Sequence, residues 1–208
     1  MALINELRRK AIHLTTSLIP LPYALWGSRA VTAIALLVLS TVMLVIESFR
    51  HRDNWAGRTF RRLFSPMLRE KEKSGGGASE TSRRIRWLGA TPYCLASLLC
   101  VLIFPKPIAV LALLYLAIGD TSASLVGMKW GRTRIGEKSI EGTAAFVVST
   151  CAIAAVAHAL AAEDYGLGAG LSGAIAAALA ELFIPRLDDN LTIPLAAGLA
   201  MTLFGMAF

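Results

Sequence analysis

Cysteine is scarce: Cys94, Cys100 and Cys151 are the only three in 208 residues, all in apolar stretches and none at metal-ligand spacing. That excludes a disulfide framework or a cysteine-held zinc site and leaves the three as small core residues. Period-two alternation of apolar and polar residues is absent, which excludes a membrane β-barrel. A soluble domain is excluded as well, because the chain is 55% hydrophobic with a mean hydropathy of +0.59. Met1 to Lys10 is polar, with no cleavage site after a short apolar core, so no removable signal peptide is expected. Positive charge is also nearly missing from every second connection between apolar runs, where only Arg29 and Lys106 occur.

What the chain does have is apolar runs, several approaching the roughly 20 residues that cross a bilayer as a helix. They cover about 11–26, 30–49, 87–104, 108–128, 143–162, 167–184 and 191–208. The first is interrupted by Pro20 and Pro22, and the sixth is rich in Gly and Ala, which suits close helix packing. The predicted fold is therefore all-α, a polytopic integral membrane protein of about seven transmembrane helices forming a single membrane-embedded domain over 1–208. Segments 1–10, 50–86, 129–142 and 185–190 carry 3, 11, 4 and 1 Lys and Arg, which is 19 of the 21. This asymmetry predicts a cytoplasmic amino terminus and an external carboxyl terminus, in a plasma membrane or, in a prokaryote, the inner membrane. It also assigns the net charge of +7 to membrane orientation, and no nucleic-acid partner is expected.

Within 50–86, Phe60, Leu63, Phe64, Met67 and Leu68 form an amphipathic stripe flanked by Arg58, Arg61, Arg62 and Arg69. The stripe fits a short helix on an anionic leaflet or one packed on the transmembrane bundle. Ser74 to Ser79, with three consecutive glycines, reads as a flexible hinge.

Asp120 is the residue around which the polar chemistry gathers. A carboxylate inside a run of hydrocarbon length costs kilocalories unless it faces a polar cavity, so it is a functional candidate by default. At helical spacing Asp120, Ser124, Gly127 and Gly131 share a face, the glycines allowing a backbone or ligand to approach. The charge pattern places Asp120 on the same side as His13, Glu47, Lys138, Glu141, Glu181, Asp188 and Asp189. Magnesium binds oxygen, commonly one or two carboxylates plus substrate phosphates, so acids beside basic residues in one mouth point to a metal–nucleotide site. Asp120, Glu141, Asp188 and Asp189 are the candidate metal ligands; Asp188-Asp189-Asn190 equally fits the cap of the last helix. Glu181 fits either the cavity wall or a pair with a basic residue.

Residues Gly131 to Ser139 come close to the G-x-x-x-x-G-K-[ST] phosphate loop, but Glu137 interrupts the pattern and a membrane helix precedes it, which excludes a P-loop fold. Phosphate-binding physics is still available there. Glycine backbone N–H groups, the Lys138 charge and a helix beginning at Gly142-Thr143 all favour anions. Arg132, Arg134 and Lys138 serve equally as positive anchors. His13 fits an interfacial histidine, a base or a phosphate contact.

Four pieces of the chain, in order, then carry a family resemblance. They are Glu6-Leu-Arg8-Arg9-Lys10-Ala-Ile-His13, Gly119-Asp120-Thr121-Ser122-Ala123-Ser124 with Gly127 and Gly131, Lys138-Ser139-Ile-Glu141-Gly142-Thr143, and Asp188-Asp189-Asn190-Leu-Thr-Ile-Pro194. With these the chain resembles the dolichol kinase, phytol kinase and CTP-dependent diacylglycerol kinase family of membrane lipid kinases. The resemblance implies transfer of a phosphoryl group from CTP, with Mg2+, to the hydroxyl of a membrane lipid: polyprenol-, dolichol- or phytol-like, or diacylglycerol. It implies catalytic roles for Asp120, Asp188 and Lys138, and nucleotide binding by Gly131, Arg132, Arg134, Lys138, Ser139, Glu141, Gly142 and Thr143. Arg9, Lys10, His13, Ser124 and Asn190 would complete the polar site. The alternative is a CTP-dependent phosphatidate cytidylyltransferase, similar in its Gly-Asp and Lys-Ser-x-Glu-Gly segments. Those enzymes carry a further Asp-rich signature with interleaved basic residues, whereas here an apolar helix follows Asn190.

Overall fold

The computed structural model describes residues 19–50, 89–136, 138–161, 166–184 and 187–207. The amphipathic stripe at 60–68, the hinge at 74–79, Arg9, Lys10, His13 and Glu137 lie outside the described residues. The described chain is almost entirely helical: α1 (Pro20–Leu25), α2 (Arg29–Arg50), α3 (Ala90–Ile103), α4 (Lys106–Leu114), a π-helical turn (Tyr115–Gly119), α5 (Asp120–Trp130), α6 (Ile140–Leu160), α7 (Leu167–Phe183) and α8 (Asp189–Ala207). Between α5 and α6 the sequence predicts only a polar loop; the structure builds an antiparallel hairpin there, β1 (Arg134–Ile135) with β2 (Lys138–Ser139). The helical expectation holds for the rest of the described chain, to which the hairpin adds four strand residues. Strands of two residues have no periodicity to read.

Among the described residues, three helical stretches are long and apolar enough to cross a membrane: Arg29–Ser48, Lys106–Trp130 and Ile140–Leu160. On α2, Val31, Ile34 and Val38 are each at least 59% exposed, as befits side chains that lipid would cover. Ala90–Ile103 and Leu167–Phe183 are apolar but shorter. At 14 residues α3 reaches roughly 21 Å, less than the ~30 Å hydrocarbon core.

Prolines set several boundaries. Pro20 takes the first position of α1, where a missing N–H costs nothing; residues 11–18 of the first apolar run lie outside the described residues. Pro105, in extended conformation, separates α3 from α4. The two cations outside the basic segments both have structural work here. Arg29 donates from Nε to the Val101 carbonyl oxygen (2.9 Å) and from its terminal nitrogen to that of Leu102, satisfying last-turn acceptors of α3. Lys106 lies over the Tyr23 ring, 5.4 Å from its centroid.

The core is built from small residues that let helices approach. Gly170 and Gly173 of α7 face Ala154 and Met201 at distances where a Cβ would collide, and the buried Tyr115 hydroxyl donates to the Gly170 carbonyl oxygen at 2.9 Å. Tyr115 opens the π turn, which ends directly before Asp120. A π turn inserts a residue into the helix, so it resets which face of α5 continues from α4. Such turns recur at functional sites.

Candidate functional site

The site begins with the hairpin. Gly136 has φ of +62°, a backbone conformation that L side chains rarely adopt, and it supplies the tight reversal between β1 and β2. The hairpin then closes onto the start of α6. Ile140 N–H donates to the Thr133 carbonyl oxygen (3.0 Å), and the Glu141 carboxylate accepts from Thr133 N–H (3.1 and 3.3 Å). The helix begins at Ile140, three residues before the Thr143 expected from hydropathy, because Ser139 caps it: its Oγ accepts from Gly142 N–H at 3.1 Å.

That hydroxyl sits against the glycine face of α5. A Cβ on Gly127 would come within 2.8 Å of Ser139 Oγ, and one on Gly142 within 2.7 Å of the Ala123 carbonyl oxygen. Gly131 also faces the Ser139 side chain. The close approach foreseen for this face is thus taken in large part by the protein's own α6 cap. What remains open is a cavity of about 140 Å³ beside it, lined by Ser124, Gly127, Arg134, Lys138, Thr143 and Glu181 among others. At ~30 Å³ per water, that is room for a few waters or a phosphoryl-sized group.

Lys138 is the electrostatic centre of this cavity. Its Nζ lies 2.6 Å from Glu181 Oε1 and 2.7 Å from Asp189 Oδ2, so one ammonium joins the hairpin to α7 and to the first residue of α8. Burial alone would lower the Lys138 pKa; the attraction and hydrogen bonds of Asp189 and Glu181 outweigh it and raise the pKa, keeping the ammonium charged. Burial raises the Asp189 carboxyl, Lys138 counters it, and the carboxylates of Asp120 and Glu181 add to the rise. Asp120 therefore acts electrostatically on this cluster. It is half-buried and lies one turn before the cavity-lining Ser124 on the same face of α5.

The remaining residues singled out by sequence are placed as follows. Arg134 lines the cavity, whereas Gly131 and Arg132 do not. Glu141 is held on the Thr133 backbone. Asp188 Oδ1 accepts from both the backbone N–H (3.0 Å) and the side-chain amide (2.8 Å) of Asn190, which fits the cap reading of that turn. Asn190 also reaches the Gly89 carbonyl oxygen at 3.4 Å. Glu181 fulfils both of its sequence alternatives: it is buried, lines the cavity and pairs with Lys138.

Among the described residues no three of His, Cys, Asp and Glu gather into a metal-binding group. A magnesium ion that keeps water and substrate phosphate as ligands needs only one or two carboxylates. The Asp120 charge is felt at Asp189, which places these two carboxylates beside the same cluster.

The chain is 29% identical over 201 residues to an uncharacterized protein of Rickettsia prowazekii (strain Madrid E), an alignment covering 96% of this chain and 94% of that one. No family model and no solved structure matches it. It is also 29% identical over 130 residues to the Schizosaccharomyces pombe protein named CTP-dependent diacylglycerol kinase 1; the match spans 62% of this chain and about half, 54%, of the yeast protein.

Proposed function

We propose that this chain is an integral membrane lipid kinase that transfers the terminal phosphoryl group of CTP to the hydroxyl of a membrane lipid alcohol. The observation that carries this reading is a small polar cavity, walled by Arg134 and Lys138 and neighboured by Asp120 and Asp189, at the end of two membrane-length helices. The partial likeness to a CTP-dependent diacylglycerol kinase supports the donor and the class of acceptor. Diacylglycerol and polyprenol-like alcohols are both acceptors of the right kind.

In this reading the lipid hydroxyl oxygen attacks the γ-phosphorus of CTP, the bond to the β–γ bridging oxygen breaks, and CDP leaves. The hydroxyl proton passes to a carboxylate, for which Asp120 is the first choice. Lys138 and Arg134 offset charge on the transferring group, the main lever in phosphoryl transfer. Magnesium, held by Asp120 and Asp189, would neutralise the nucleotide phosphates. The acceptor's tail stays among the helices, its hydroxyl at the cavity. Turnover over a panel of lipid alcohols and nucleoside triphosphates tests the assignment: CTP with one lipid alcohol should stand out, and transfer to none of them would overturn it.

The orientation belongs to the same proposal: seven spans, amino terminus and cavity cytoplasmic, carboxyl terminus outside. In a cysteine-free background, single cysteines at Gly76 and Gly166 should react with an impermeant thiol reagent from opposite sides. Labelling of both from one side would refute the topology.

A further inference from the structure

α7 is a helix of small and apolar residues with one serine, and it carries a single acidic side chain, Glu181, which it buries to 2% exposure. A buried carboxylate is costly unless its partners use it fully. Both oxygens of Glu181 are engaged: Oε1 with Lys138 Nζ at 2.6 Å, and Oε2 with the Thr143 hydroxyl at 3.4 Å. Both partners line the cavity, and they come from different elements, the hairpin and α6. Charge balance alone does not call for Glu181, because Asp189, at 2.7 Å, already supplies one counter-charge to Lys138.

Geometry does call for it. A lysine ammonium has three N–H groups and no acceptor. With two directed at Glu181 and Asp189, the third has one direction left, while a single carboxylate would leave the ammonium free to rotate. The Thr143 hydroxyl has one proton and two acceptors in reach, Glu181 Oε2 and the Ser139 carbonyl oxygen at 3.2 Å. Its one proton is spent within the protein, and given to Oε2 it fixes the Glu181 carboxylate from the side opposite Lys138.

We propose that Glu181 is a positioning residue for phosphoryl transfer: clamped between Thr143, which donates to its Oε2, and Lys138, it aims the remaining ammonium N–H at a nucleotide phosphate in the cavity. This rests on the nucleotide-using reading above. Glu181 lines the cavity with both oxygens already engaged, so it works through the ammonium it holds.

The test is steady-state kinetics of full-length protein in detergent–lipid micelles, with equilibrium binding of radiolabelled CTP alongside, normalised to monodisperse protein. Glu181→Gln keeps the size and loses the charge; Glu181→Asp keeps the charge and withdraws it by one methylene. If aim is the function, both should lower kcat by about 30-fold while the KM and Kd for CTP stay within about threefold, since Asp189 still holds Lys138 in place. A role in charge balance alone predicts a near-wild-type Glu181→Asp. A role in folding alone predicts less monodisperse protein with unchanged kcat in what remains. Either result overturns the inference. Thr143→Val addresses the same claim from the other end of the carboxylate and should cost about tenfold in kcat, even if Glu181→Gln fails to fold. Wild-type protein that neither binds CTP nor transfers phosphate to lipid would overturn the nucleotide reading itself, and the inference with it. Wild-type turnover with unaffected variants would overturn the inference alone.

Discussion

Asp120→Asn should leave a folded, monodisperse protein whose magnesium-dependent turnover falls by at least about two orders of magnitude. The substitution keeps the volume and one acceptor oxygen of the side chain, turns the other oxygen into an N–H donor and removes the charge. Asp120 starts α5 directly after the π turn, a junction set by the backbone and by the packing of Gly119 against Phe146 and Thr150. None of that depends on a carboxylate. The charge, by contrast, reaches Asp189 and through it the Lys138 cluster. Losing it would weaken the hold on a divalent cation and remove the first-choice acceptor for the lipid proton. Purified Asp120→Asn with near-wild-type kcat at saturating magnesium would remove Asp120 from the mechanism.

Lys138→Met should cost both activity and stability. Removing the ammonium leaves Glu181, 3% exposed at the side chain, and Asp189, 30% exposed, as neighbouring carboxylates without their shared cation. Breaking one partner out of a buried ion pair costs about 3–5 kcal/mol, and the partial exposure of Asp189 puts this site at or below the lower end. The companion change decides the cause. Lys138→Met combined with Glu181→Met exchanges a charged pair for apolar volume and relieves the worse of the two orphaned charges. The double variant should therefore denature at a higher temperature than Lys138→Met alone, measured by size-exclusion after heating, yet remain as inactive. A double variant less stable than Lys138→Met would show that the orphaned Glu181 charge is not what destabilises the single variant.

The sequence made the long apolar helices legible because their signal is simply length without charge. α2 and α6 begin within a few residues of the hydropathy expectation, and α6 starts early because Ser139, a capping residue just ahead of the apolar run, outranks hydropathy as a start signal. The polar mouth was legible as a set of residues and not as a set of contacts. Lys138 and Glu181 are 43 positions apart, on a hairpin and a helix, and only the packing of α7 beside α6 brings them together. The π turn before Asp120 has no composition signature. Arg29 is an exception to the charge asymmetry in sequence and a cap of α3 in the structure, a distinction that exists only once the Val101 carbonyl has a position. Asp188 and Glu141, ranked beside Asp120 as acids in the sequence, are tied in the structure to backbone and side-chain N–H groups, which no sequence pattern announces.

The central claim is the bond that breaks. A kinase moves the terminal phosphate of CTP to a lipid alcohol and releases CDP, whereas a cytidylyltransferase joins the α-phosphate to a lipid phosphate and releases pyrophosphate. Magnesium and triphosphate would occupy the same mouth in either case, so binding cannot separate them. The purified protein, reconstituted with diacylglycerol or polyprenol and in parallel with phosphatidate, is incubated with γ-labelled CTP and separately with α-labelled CTP, and the lipid phase is extracted and counted. The account predicts γ-label in the lipid and α-label left in water; α-label in the lipid with γ-label released as pyrophosphate would contradict it.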